Sequence, residues 1–111
     1  MAWVKLVRKS FGLGLVQFSL DLLDPKTEQS SREQMIDQTR RAVEEFALQM
    51  HSTFTGLGAY SSNLLLHPNL SMRMDALGWY EQAIRLSSEL VTSATGGHFG
   101  ALSCCRLLQL D

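Results

Sequence analysis

The chain has 111 residues, 45% of them hydrophobic and 19% charged, with a formal net charge of −1. That balance suits one modest soluble domain and excludes a disordered chain. Ten basic against eleven acidic side chains leave no basic stripe for nucleic acid.

Residues 2–23 are apolar with an ambiguous period. Trp3, Leu6, Val7, Phe11 and Leu15 fit one face of a helix, while Val16, Phe18, Leu20 and Leu22 alternate as a strand would. No partner strand is evident elsewhere, and a lone strand cannot satisfy its backbone. The segment is therefore read as a helix bent near Gly12 and Gly14 and ended by Asp24-Pro25. Its first twenty residues carry Lys5, Arg8 and Lys9 and no acid. This fits either a mitochondrial targeting segment or an ordinary first helix with a solvated face.

Ser30 with Glu33, and Ser31 with Gln34, offer overlapping capping boxes for a second helix over 31–62. Ile36, Thr39, Val43, Phe46, Met50, Phe54 and Leu57 continue it at steps of three and four. After His67-Pro68, a third helix is expected over 70–95, capped by Asn69 or Ser71 and stopped by Gly96-Gly97. Its apolar stripe is Leu70, Met74, Leu77, Tyr80, Ile84, Ser87, Val91 and Ala94. A short last helix follows over 98–110. Three to four helices, each with one apolar stripe, predict a single all-α domain over 1–111, an antiparallel bundle.

Chemistry is sparse in this pattern. Cys104 and Cys105 are adjacent, so with His98 they make a poor metal site, since neighbouring side chains on a helix point about 100° apart. The same pair forms no disulfide framework, which points to a reducing, intracellular compartment, cytoplasmic or mitochondrial. The longest apolar stretch falls far short of the roughly 20 residues a membrane span needs. Asp37 and Glu44 share a solvated face with no apolar setting to shift a pKa. No catalytic residue and no metal ligand is expected. Trp79 sits at the edge of the third helix beside Tyr80 and near Met72. These three form either a contact surface or the boundary of the core.

In its last forty residues the chain resembles the C-terminal helical domain of the acyl-CoA dehydrogenase family of flavoproteins. The likeness is carried by Ala94-Thr95-Gly96-Gly97-His98-Phe99, then Arg106-Leu107 and Asp111. Arg8-Lys9-Ser10-Phe11-Gly12 is similar to another segment of that domain. The resemblance implies FAD, shared with a partner chain, with Arg8, Gly96 and Gly97 as contacts. Arginine would pair with pyrophosphate, and glycine would let the backbone approach it. It supplies no catalytic base, so the chain is not expected to be an enzyme by itself. Two functions follow: a helical subunit of such a flavoprotein, or a small helical assembly subunit without chemistry. Either needs a protein partner or a homo-oligomer.

Overall fold

The computed structural model describes residues 1–56 and 64–100. It is a mixed α/β fold around a three-stranded parallel sheet, which corrects the expected all-α antiparallel bundle. Helix α1 (Ala2–Lys5) widens into a π-helical turn at Leu6–Ser10 and leads to strand β1 (Leu15–Ser19). Helix α2 (Gln29–Glu45) precedes β2 (Gln49–Phe54). A 3₁₀ turn at Leu64–Leu66 and helix α3 (Leu70–Glu89) precede β3 (Thr95–Gly96). The strand order is β1-β2-β3. Parallel neighbours need a long crossover, and α2 and α3 are those crossovers.

The partner that β1 needs was hidden in the apparent continuation of the second helix. Helix α2 stops at Glu45, because Ala47 turns into the left-handed region (φ +51°). The Leu48 N–H then donates back to the Val43 carbonyl at 2.9 Å, a helix-closing bond. Leu15 and Val16 of β1 pair with Gln49 and Met50 of β2; Gln17 then pairs with Ser52, so His51 is an extra residue in a bulge. The bulge shifts the alternation of β2 by one. Met50 and Thr53 consequently face the same side although they are three residues apart, a spacing that imitates a helix.

Both long helices cover one face of the sheet. Ile36 of α2 and Ala83 and Leu86 of α3 meet Phe18 of β1 and Met50 of β2 in one buried cluster, which Leu20, Leu23 and Leu90 extend. Val4 of α1, fully buried, closes a second cluster with Ala42 and Leu48. On the opposite face Leu15 and Gln17 stay exposed.

The capping differs from the serine boxes. The Glu28 carboxylate accepts from the amides of Ser30 and Ser31, both at 3.1 Å, and caps α2. Asn69 caps α3, its Oδ1 accepting from Ser71 at 2.9 Å and Met72 at 3.3 Å. Helix α3 ends before the glycine pair. Leu90 is its C-cap, Val91 adopts φ +60°, and the Thr92 N–H donates to the Ser87 carbonyl at 3.1 Å. The buried side of α3 is Ala76, Ala83, Leu86 and Ser87, small enough to let the helix lie close to the strands. Most of the expected stripe is turned outward: Leu70, Met74, Leu77, Ile84 and Val91 are exposed, while Tyr80 is half-buried and Ser87 is buried. The last stretch of the second expected helix and nearly all of the fourth, including Cys104, Cys105 and Arg106, lie outside the described residues.

Candidate functional site

Parallel pairing brings the carboxyl ends of the three strands to one edge of the sheet. Ser19, Phe54 and Gly96 mark those ends, and the loops beyond them carry Asp21, Thr55, Gly56, Gly97 and His98. In sheets of this kind, chemistry sits at that edge, because short loops there hold polar groups around the sheet's open end.

The loops are fitted to one another. Gly56 takes φ +89°, and a Cβ placed on it would come within 2.5 Å of the Asp21 Cγ and Oδ1. The carboxylate of Asp21 thus occupies the space that glycine leaves. Gly97 takes φ +134°, and a Cβ there would lie 2.3 Å from the Thr55 Oγ1. Both glycines serve backbone geometry and close approach together. Backbone bonds join the loops: the Leu20 N–H donates to Phe54 at 3.0 Å and the Thr55 N–H to Gly96 at 3.1 Å.

Buried hydroxyls fasten β3 to this edge. Thr53 Oγ1 lies 2.6 Å from Ser87 Oγ of α3 and donates to Thr95 Oγ1 at 3.1 Å. The His98 N–H donates to Thr55 Oγ1 at 3.0 Å, and the Tyr80 hydroxyl donates to the His98 carbonyl. Burial raises the Tyr80 pKa above its ordinary value of 10.0, so the phenol stays protonated and remains a donor. Its ring stands edge-on to Trp79 (5.2 Å) and tilted against Phe99 (6.3 Å). The Thr53, Thr55 and Tyr80 hydroxyls are engaged within the protein, while Asp21 is exposed at this edge, and a carboxylate there can accept hydrogen bonds from a ligand. Among the described residues, no group of three or more His, Cys, Asp or Glu side chains could hold a metal ion. Nor is any helix among them long and apolar enough to cross a membrane.

The residues singled out from sequence are distributed differently. Arg8 lies in the turn after α1, beside Gly14 at the amino end of β1. Gly96 and Gly97 stand at the carboxyl end of β3, so the fold does not bring them to Arg8. Met72 is exposed. Trp79 is half-buried against the core, and its Nε1–H donates to Asp24 Oδ1 at 3.2 Å. Tyr80 belongs to the edge just described. Asp21 and Thr55 carry no sequence signal of function, and His98 enters the sequence reading only beside the cysteines and within the Ala94–Phe99 segment of the resemblance. The one available hint was Gly-Gly-His directly after Thr95, once Thr95–Gly96 is read as a strand end. A cavity of about 470 Å³ lies elsewhere, at the amino end of β2, lined in part by Arg40, Glu44, His51, Leu90 and Val91.

The chain is similar to a solved structure, a candidate xylose isomerase from Rhodospirillum rubrum. The two are 31% identical, with a TM-score of 0.88, over 96% of this chain and 36% of that one. The chain therefore spans little more than a third of its neighbour's length. No family model matches the sequence, and no curated protein does. The match is to a xylose isomerase-like α/β segment, and it overturns the resemblance to the acyl-CoA dehydrogenase helical domain. The reading as a helical flavoprotein subunit falls with it. FAD contacts at Arg8, Gly96 and Gly97 follow from that resemblance alone. The alternative, a small helical assembly subunit, has no support from an α/β fold of this type either.

Proposed function

We propose that this chain forms three consecutive strands of a sugar isomerase barrel, and that its carboxyl-end edge contributes to binding an aldose or ketose. The reading is carried by the 31% identity and 0.88 TM-score to a candidate xylose isomerase over nearly the whole chain. Topology supports it. A sequential order β1-β2-β3, with both crossover helices on one face, is how a (β/α)₈ barrel is wound. A doubly wound sheet instead reverses direction and puts helices on both faces. The exposed sheet face at Leu15 and Gln17 and the outward stripe of α3 are the surfaces that adjoining strands and helices cover in a closed barrel.

An aldose and its ketose differ by the position of one carbonyl and two hydrogens, and both present a row of hydroxyls. Asp21 as an acceptor, and His98 as donor or acceptor, suit recognition of such a row. Saturation-transfer NMR of the protein with D-xylose and D-xylulose tests the reading. Transfer to pentose protons is expected, and His98→Ala should abolish it. No transfer to either pentose from the folded wild type would overturn it.

A further inference from the structure

His98 is held in an unusual way. Its N–H and its carbonyl are both engaged by side chains, from two different elements, rather than by a strand ladder. Thr55, at the end of β2, accepts from the His98 N–H at 3.0 Å, and Tyr80, on α3, donates to the His98 carbonyl. Thr55 grips the segment a second time through its own N–H, bound to the Gly96 carbonyl at 3.1 Å. The threonine therefore spans Gly96 to His98, with Gly97 beneath it. A Cβ on Gly97 would lie 2.3 Å from the Thr55 Oγ1 and 2.8 Å from its backbone nitrogen. Any side chain at Gly97 would push the hydroxyl off the His98 amide.

We propose that Thr55 and Tyr80 are positioning residues that fix the peptide of His98 and with it the direction of its imidazole; the proposal rests on reading the carboxyl-end edge as a sugar site. Fixing both ends of a residue's backbone narrows φ and ψ, and the side chain inherits the narrowed direction. Neither positioning group is left to chance. Thr55 is 4% exposed, so its rotamer is set by packing. Tyr80 is wedged between Trp79 and Phe99, and the Leu65 N–H donates to the Phe99 carbonyl at 3.0 Å, tying the turn before α3 to the same segment. A ligand that hydrogen-bonds to His98 would thus find its partner already oriented, which reduces the ordering cost of binding.

Three variants separate this from simple packing. Thr55→Val keeps the shape and removes the acceptor; Thr55→Ser keeps the acceptor; Tyr80→Phe removes the donor and keeps the ring. The first readout is amide hydrogen exchange at His98, compared with Phe18 in the core. Thr55→Val should speed exchange at His98 roughly fivefold, the equivalent of one net hydrogen bond, and leave Phe18 unchanged. Thr55→Ser should match the wild type. The second readout is pentose affinity, which should fall in Thr55→Val and Tyr80→Phe and be retained in Thr55→Ser. Unchanged His98 exchange in Thr55→Val would overturn the proposal. So would faster exchange with undiminished pentose binding, because the bonds would then be structural only. Should Thr55→Val fail to fold, Tyr80→Phe against Thr55→Ser decides the same question through pentose affinity. Failure of the wild type to bind any pentose would refute the sugar reading, while the exchange pattern would still decide whether the bonds hold His98.

Discussion

The carboxylate of Asp21 fills the place where a side chain on Gly56 would stand, 2.5 Å from that position. Two loops far apart in sequence are thereby locked at the carboxyl ends of β1 and β2. Gly56→Ala should disturb both. It forces a Cβ into the carboxylate and puts alanine at φ +89°, a strain worth about 1–3 kcal/mol. Urea unfolding should show a loss of that size. Asp21→Ala in the same background should recover part of it, since only the steric share depends on the pair.

The two long helices end on residues poorly suited to their backbone. Ala47 and Val91 follow the C-caps of α2 and α3 at φ +51° and +60°, where glycine is the usual occupant. A left-handed conformation costs a non-glycine residue roughly 1–2 kcal/mol, partly offset by glycine's greater freedom in the unfolded chain. Ala47→Gly and Val91→Gly should each raise the urea midpoint. The gain should be larger at Val91, which is β-branched. A fall in midpoint for both would show that the helices do not end there.

Glu28 makes the start of α2 sensitive to acid. Hydrogen bonds from the Ser30 side chain, and then from the Ser30 and Ser31 amides, lower its pKa from 4.5 to about 2. A depressed folded-state pKa means the cap's contribution is present above the unfolded value near 4.5 and is lost as pH falls toward 2. Helix content by circular dichroism at fixed urea should drop through that window. In Glu28→Gln the same scan should be flatter, because the amide does not titrate.

How much of this was legible in the sequence depended on which period a residue served. Val16, Phe18 and Leu20 alternate openly, and β1 was misread only because its partner was hidden. The partner was hidden by His51: the bulge puts the inward residues Met50 and Thr53 three apart, where an unbroken strand would show two or four. Phe46, Met50 and Phe54 are spaced by four, which suits a helix and a strand equally. The stop after Glu45 carried no glycine or proline to mark it. In α3 the large aliphatic residues of the expected stripe, Leu70, Met74, Leu77 and Ile84, face outward, because the sheet takes the side with Ala76, Ala83 and Leu86, and of the stripe only Ser87 joins them. Gly96-Gly97 stood out in the sequence, but its neighbours supply the reason for Gly97: the hydroxyl of Thr55, 42 positions earlier, needs the space. Pairings of that kind are set by tertiary geometry and leave no local pattern.

The most direct measurement is a titration with D-xylose followed by ¹H–¹⁵N correlation spectra of the protein. We predict shifts concentrated at Asp21, Thr55, Gly97 and His98, saturating together as one binding event. Shifts that cluster instead at Arg40, Glu44 and His51 around the opposite cavity, or no shifts at all, would contradict a sugar site at the carboxyl ends of the strands.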